Sequence, residues 1–267
     1  MKIARRTSSR PKRIMCVAPL LILACATYGH TVSLNVELAR VNEQPVAAGT
    51  LVYRGSTYPL DALDEAPLFH YERHVLTVGR DRVATHRTYD RAGTLMQSEA
   101  VWTSSAYDVR QVAITDYQGI VSGTATVDSA AGTLTFNVLE NGRERQKTER
   151  LSLPLVSGPS LFGYIHHHWD EVVSSDKQSV RFIVLQDMAT YGFTIRAEGV
   201  TEGLMVFSVT PTSLLVRLVV PSMHLMFDAQ TRQLVRFEGR VPPKDNRTDK
   251  LKALDARVEY ETLLPLD

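Results

Sequence analysis

Three consecutive histidines, residues 166–168, are the strongest chemical signal in the sequence, and Asp170 and Glu171 follow them. Imidazole and carboxylate groups are typical zinc ligands and are the usual acids and bases of hydrolases. Adjacent residues on a helix point about 100° apart, so the three histidines cannot converge on one ion. His167 can share a helix face with Asp170 or Glu171, but such a pair needs ligands from elsewhere. The pattern is compatible with a metal-dependent hydrolase, but a solvated polar helix face is the more common explanation.

Ser160 is the other residue whose context invites a catalytic interpretation. It lies in the segment Gly-Pro-Ser-Leu-Phe-Gly at residues 158–163, whose spacing differs from the Gly-x-Ser-x-Gly pattern of hydrolases. A serine directly after Pro159 is explained by helix initiation. The sequence therefore assigns no catalytic residue, no metal site and no cofactor.

These residues all belong to the one segment with a clear helical period. Projected at about 100° per residue, its large apolar side chains form a single stripe. Pro159 suits the first helical turn, and Ser157 or Gly158 can cap it. We therefore expect one amphipathic helix over residues 159–173 that packs on the core. The stripe consists of Leu161, Phe162, Ile165, Trp169, Val172 and Val173.

Most of the remaining sequence alternates apolar and polar residues, which predicts antiparallel strands joined by short turns. Asn141 and Gly142 form the strongest hairpin signal. Segment 143–150 after them contains no apolar residue, which is typical of an exposed sheet edge, and the alternative is a solvent-exposed helix. Segment 213–220 is almost continuously apolar, which favours a strand that is buried on both faces, or buried on one face and lining a cavity with the other. The predicted strands are residues 32–38, 50–54, 71–78, 82–89, 94–103, 107–114, 120–127, 133–140, 143–150, 180–186, 191–198, 204–210, 213–220, 224–228, 234–239 and 256–261.

The N-terminus has the pattern of a secretory signal. Six basic residues precede an uncharged apolar run at residues 14–26, which is shorter than the roughly 20 residues of a membrane-spanning helix. Ala24 and Ala26 allow cleavage before Thr27, whereas residues 22–25 resemble a lipobox that would make Cys25 a lipidated first residue. Two or three acyl chains would anchor the protein stably to a membrane. We expect residues 1–26 to be a signal peptide and residues 27–267 to form one domain.

Removal of this signal reverses the net charge. The chain has 30 basic and 29 acidic residues, so loss of the six basic residues leaves 24 against 29, a net charge near minus five. Nucleic-acid binding requires a basic face, which neither this balance nor any basic and aromatic interleaving supplies. Cys16 and Cys25 are the only cysteines, so the mature domain cannot contain a disulfide bond.

The order of signal, antiparallel meander, amphipathic helix and further strands resembles exported bacterial families built on the open half-barrel of the lipoprotein carriers (Lol-type). The resemblance implies a strongly curved antiparallel sheet around a helical plug, with a concave side that can shelter acyl chains. The resemblance does not assign the functional residues of the carriers to individual positions of this chain. It is carried by residues 71–102, by the helix that begins at Gly158, and by Phe227, Asp228, Thr231, Leu234, Phe237, Glu238 and Gly239.

We therefore expect a mainly β protein, a curved antiparallel sheet (open half-barrel) packed on one amphipathic helix. The leading hypothesis is a non-enzymatic exported protein, periplasmic or associated with the outer membrane of a Gram-negative-type bacterium, that binds a hydrophobic or lipid-like ligand or an envelope protein. The alternatives are a structural or assembly factor with a self-filled core and the metal-dependent hydrolase. A membrane would be contacted only through lipid on Cys25. The candidate ligand-binding residues are Phe162, Ile165, Trp169, Phe193 and Phe207.

Overall fold

A computed structural model describes residues 49–62, 65–248 and 250–264. These residues form one open, curved sheet of 15 strands in the order β8-β7-β6-β5-β4-β3-β2-β1-β15-β14-β13-β12-β11-β10-β9, so the predicted mainly β class is confirmed. Neighbouring strands are antiparallel except for β9 and β10. The first eight strands are β1 (Thr50–Pro59), β2 (Phe69–Val78), β3 (Asp81–Asp90), β4 (Leu95–Ser104), β5 (Val109–Asp116), β6 (Val121–Asp128), β7 (Thr133–Glu140) and β8 (Arg143–Arg150). The others are β9 (Leu155–Val156), β10 (Gln178–Val184), β11 (Ala189–Thr201), β12 (Leu204–Pro211), β13 (Met223–Asp228), β14 (Leu234–Asp245) and β15 (Lys252–Thr262).

The predicted helix is present, but it is divided in two. α1 (Gly158–His167) and α2 (Trp169–Ser174) meet at His168, whose backbone angles are −96° and 24°. The break lets α1 pack on β3 and β4 while α2 packs on β11, so the two helices follow the curvature of the sheet. The apolar stripe is confirmed at five of its six positions, which are at most 6% exposed, whereas Val173 beyond the break is 40% exposed.

Helix initiation follows the predicted chemistry. Pro159 lies in the first turn, and the Ser160 hydroxyl accepts a hydrogen bond from the backbone N–H of Ser157 at 2.8 Å. This bond satisfies a donor that the helix itself leaves unpaired. Ser160 is 1% exposed and is therefore a structural residue of the helix start.

The sheet curls until its two ends face each other. Leu185 and Met188, which follow β10, pack in one apolar cluster with residues of β5, β6 and β7 such as Phe136. The edge strand β8 reaches the β10–β11 hairpin through side chains alone, since Lys147 Nζ donates to the Met188 carbonyl at 2.9 Å. The predicted charged edge strand at residues 143–150 is confirmed: it is exposed and forms one end of the strand order.

Segment 213–220 is not the buried strand that its apolar content predicted. β12 and β13 pair directly, with Val209 opposite Met223, so the residues between these strands must form their connection. This connection contains a short helix, α3 (Leu214–Arg217), and Leu218 is 81% exposed. Two smaller differences concern β1, which continues beyond its predicted end at residue 54 to Pro59, and β5, which begins at Val109 instead of residue 107. The predicted strand at residues 32–38 and the signal at residues 1–26 lie outside the described residues.

Gly163 allows α1 to approach the β4–β5 connection closely. A Cβ atom at this position would overlap the ring of Tyr107, which is itself held by a hydrogen bond from Arg82 Nη1 to its hydroxyl at 2.6 Å. Gly163→Ala should therefore destabilise the protein by about 1–3 kcal/mol through overpacking, although helix propensity alone would favour alanine by about 1 kcal/mol. The measurement is the urea midpoint of unfolding.

Gly158→Ala is the matched control for this substitution. A Cβ atom there would lie 3.4 Å from Glu99 Oε2, close to an ordinary contact distance, so its midpoint should change little. A Gly163→Ala protein as stable as the Gly158→Ala protein would contradict the packing of α1 against Tyr107.

Candidate functional site

A row of polar side chains crosses the inner face of the sheet beneath α1. Tyr53, Arg73, His86 and Glu99 lie opposite one another on β1, β2, β3 and β4. They are 0%, 2%, 7% and 7% exposed, respectively. Inner faces of sheets are usually apolar, so a buried row with an arginine, a histidine and a glutamate requires a specific explanation.

Arg73 ties this row to the helix. Its Nη1 atom donates to the Pro159 carbonyl at 2.5 Å and to His86 Nε2 at 2.9 Å, and it lies 3.4 Å from the Tyr53 hydroxyl. Among the described residues no carboxylate forms an ion pair with Arg73, and its Nε atom has no hydrogen-bond partner. A buried guanidinium without a counter-ion is costly, because hydrogen bonds to neutral groups replace only part of its hydration.

The hydrogen bonds determine the protonation of His86. A guanidinium can only donate, so His86 Nε2 must accept, and the neutral ring carries its proton on Nδ1. The Nδ1–H group then donates to the Tyr71 hydroxyl oxygen. Burial, together with the charge of Arg73, holds the pKa of His86 well below its ordinary value of 6.5. The imidazole therefore stays neutral in this structure and relays hydrogen bonding from Arg73 to Tyr71.

Glu99 ends the row next to the start of α1. Its Oε2 atom is the nearest group to the space where a side chain of Gly158 would begin. Burial raises the pKa of Glu99 from 4.5 to about 8, so the carboxyl group is protonated at neutral pH. Arg73 thus supplies the only charge of this four-residue row under these conditions, because burial also raises the pKa of Tyr53.

Phe162 covers the polar row from the helix side. Its ring stacks on His86 with centroids 6.1 Å apart and meets Tyr260 at 5.9 Å and Phe237 at 6.3 Å. These partners belong to β3, β15 and β14, so one side chain of α1 bridges both halves of the curved sheet. The cavity left beneath the start of α1 has a volume of about 10 Å³, which is close to the space needed for a single water molecule.

The five candidate ligand-binding residues lie in one buried cluster. Trp169 of α2 meets Phe207 edge-on at 5.0 Å, and Phe193 is 5.4 Å from Phe182 between ring centroids. The cluster lies on the concave side of the sheet, where the helices pack. In this conformation these side chains fill the space themselves, and their binding of a ligand stays a prediction.

The histidine segment does not form the pair that helical spacing allowed for His167. His168 Nδ1 lies 3.1 Å from Glu171 Oε2, whereas the His167 ring packs 5.7 Å from that of Tyr107. Throughout the described residues, no group of three or more histidine, cysteine, aspartate and glutamate side chains is placed to hold a metal ion. Cys25 lies outside this part of the chain.

A larger groove, of about 770 Å³, lies on the outer face of β15, β1 and β2 beside the β3–β4 hairpin. Its lining is charged, and Arg54 and Glu72 form an ion pair of 3.7 Å within it. Both side chains are accessible to water, so the groove is a solvated surface rather than an enclosed site.

Sequence reasoning missed Arg73, His86 and Glu99, although it placed all three in correctly predicted strands. The available signal was alternation: Tyr71, Arg73 and Val75 share one face of β2, and that face is otherwise apolar. A polar residue at an inward-facing position of the alternation in each of three successive strands would have indicated a buried polar row. The register that aligns the three residues could be seen only in the folded sheet.

Comparison with known proteins adds no family. No protein-family model matches this chain, and no curated protein is significantly similar to it. Within the described residues, no helix combines the length and the apolar character needed to cross a membrane.

The opposite pKa shifts of Glu99 and His86 predict a distinctive pH dependence of stability. Between pH 6.5 and 8 the folded protein keeps the Glu99 proton that the unfolded chain has lost, so stability falls as pH rises, with a slope approaching about 1.4 kcal/mol per pH unit. Below pH 6.5 the unfolded chain protonates a histidine that the folded protein keeps neutral, so the His86 contribution falls as pH falls and opposes the Glu99 slope between pH 6.5 and 4.5. Glu99→Gln should remove the first slope, as measured by urea unfolding at pH 6.5, 7, 7.5 and 8.

Glu261→Gln is a matched control, because Glu261 is exposed on β15. It should keep the wild-type slope. Parallel stability curves for Glu99→Gln and wild type would show that Glu99 is not buried in its protonated form.

Proposed function

We propose that this protein is a non-enzymatic cell-envelope protein that binds a hydrophobic, lipid-like ligand between its helices and the concave face of the sheet. α1 and α2 act as a plug that moves aside when the ligand enters. The observation that carries this proposal is the polar underside of α1, where Arg73 is buried, bonds to the Pro159 carbonyl and has no carboxylate partner among the described residues.

The energetics of this contact favour a plug that can leave. In the closed state, the Nε atom of Arg73 is buried and the described residues offer it no hydrogen-bond partner. An unsatisfied buried group carries a desolvation cost of about 1–3 kcal/mol, and more when it is charged. Water would satisfy this atom once α1 separates from β2, so part of the cost of opening is recovered.

The other contact of the plug supplies an apolar lining. Trp169 packs edge-on against Phe207 and Phe227, with centroids 5.0 and 5.6 Å apart. Displacement of α2 would leave these aromatic side chains facing a concave space. Aromatic and aliphatic linings with few polar groups are typical of sites for hydrophobic ligands.

The proposed location depends on the N-terminal sequence. A basic segment followed by the apolar run at residues 14–26 supports export, and Cys25 supports a lipid-anchored form. We place the protein in the periplasm or at the outer membrane of a Gram-negative-type bacterium, where a carrier of lipid-like molecules would operate.

A second candidate function is a structural or assembly factor whose core is permanently self-filled. The small cavity beneath α1, about 10 Å³, favours it, because this space is too small to hold a lipid-like ligand. The two candidates differ in one respect: only the first requires α2 to separate from β12.

Contact quenching of tryptophan distinguishes them. Trp102 and Trp169 are the only tryptophans, so Trp102→Phe leaves Trp169 as the single reporter. Monomeric 9,10-dibromostearate should quench Trp169 saturably, at a stoichiometry near one, because bromine quenches on contact. The measurement is tryptophan emission during titration below the micelle concentration.

Trp169→Phe is the matched control, since it leaves Trp102, which lies on the opposite face of β4 from Glu99. Its emission should not change. If Trp169 is not quenched, or if both reporters respond alike, ligand binding under the helices is refuted and the self-filled factor becomes the better description.

A further inference from the structure

The connection between β12 and β13 is an exposed apolar tip. Within residues 213–220, Leu214, Leu215, Leu218 and Val219 are 75%, 78%, 81% and 65% exposed. The charged residue of the segment is directed toward the base of the loop, because Arg217 Nε donates to the Pro211 carbonyl at 2.6 Å. Large apolar side chains therefore project outward while the arginine is bonded to the base of the loop. We call these four apolar residues the apolar tip.

The base of the apolar tip is held in place by hydrogen bonds. The hydroxyl groups of Thr210 and Ser222 are 2.9 Å apart across the two strand ends. Arg240 of β14 donates to the Val219 carbonyl at 2.9 Å. The leucines are thus presented by a braced turn and not by a loose chain end.

Neighbouring connections place more exposed apolar side chains at the same end of the sheet. The directions of the strands bring the β5–β6 and β14–β15 connections to this end. Gln118 of the β5–β6 connection donates from Nε2 to the carbonyl of Lys244, near the end of β14, at 3.1 Å. Ile120 is 70% exposed, Tyr117 53% and Leu251 45%. One end of the molecule therefore offers several separate apolar projections.

Basic residues accompany these projections. Lys250 and Lys252 are exposed, and within the described ranges neither forms an ion pair. Nearby Asp245 and Asp61 are both bonded to Arg247, at 2.8 and 3.0 Å. Lys252 lies opposite Asp245 and also acts on its charge, so Lys250 is the more available of the two lysines to negatively charged groups at this end.

We propose that this end of the sheet docks on an anionic lipid bilayer, with the apolar tip inserted at the boundary between head groups and acyl chains. Apolar side chains that project from a tip do not form the flat or concave patch of a typical protein interface, whereas a fluid bilayer accepts separate projections. Lys250 and Lys252 then lie at the level of the lipid phosphates. This contact is separate from any lipid on Cys25 and does not depend on the proposed ligand site.

An environment-sensitive label on the tip tests the proposal. The full chain with Cys16→Ser, Cys25→Ser and Leu215→Cys carries one thiol for a nitrobenzoxadiazole label. Vesicles of phosphatidylcholine and phosphatidylglycerol (3:1) should blue-shift the label and raise its emission severalfold, and brominated acyl chains in the bilayer should quench it. Adding Leu214→Ser and Leu218→Ser should weaken vesicle binding of the tip roughly tenfold or more per leucine.

The matched control places the label at Leu153→Cys in the same background. Leu153 is 63% exposed in the β8–β9 connection, at the opposite end of the sheet, so its emission should stay constant even if the apolar N-terminal run binds vesicles. On vesicles of phosphatidylcholine alone, the vesicle affinity reported by the label at position 215 should be lower by about fivefold for each lysine that contacts an anionic lipid.

Three results would overturn the proposal. The first is an unchanged label at position 215 on anionic vesicles, and the second is an equal response at positions 215 and 153. The third is a change at position 215 that follows protein concentration without vesicles, because it would assign the apolar tip to contact with a second copy of the chain.

Discussion

The hydrogen bond from Arg73 to the Pro159 carbonyl is the interaction on which the concave side of the sheet depends. It joins β2 to the first turn of α1, in a place where neither partner can reach water. The same guanidinium also organises His86, whose neutral ring passes the hydrogen bond on to Tyr71. One buried cation thus directs the hydrogen bonds of its neighbours and holds the start of the helix, while burial is the main reason that His86 stays neutral and Glu99 stays protonated.

The apolar contacts of the helices act in parallel with this polar one. Phe162 reaches β3, β14 and β15, and Trp169 packs against Phe207 and Phe227 on the other half of the sheet. The helices therefore connect strands that are far apart in the strand order. Within the part of the chain that the structure describes, the edges of the sheet meet through side chains and no ladder of backbone hydrogen bonds joins them, so the sheet needs such an internal support.

These two kinds of contact have different consequences for movement. Apolar packing against β11–β14 is strong and nondirectional, whereas the polar contact with β2 includes Arg73 Nε, a buried donor that the described residues leave unpaired and that water would stabilise. Separation of α1 is thus less costly than its burial alone would indicate. The proposed exchange of plug for ligand depends on this difference, and the apolar tip at the end of the sheet is independent of it.

Local pattern in the sequence determined the meander, the charged edge at residues 143–150 and the apolar stripe from Leu161 to Val172, because alternation and helical period depend only on near neighbours. Tertiary structure decided what those patterns could not: the row of Arg73, His86 and Glu99, the break at His168, and the exposure of residues 213–220. Each depends on strand register or on sheet curvature, which bring together residues that are distant in the chain. Segment 213–220 illustrates the reason, because its apolar composition predicts burial while the direct pairing of β12 with β13 places it outside the sheet.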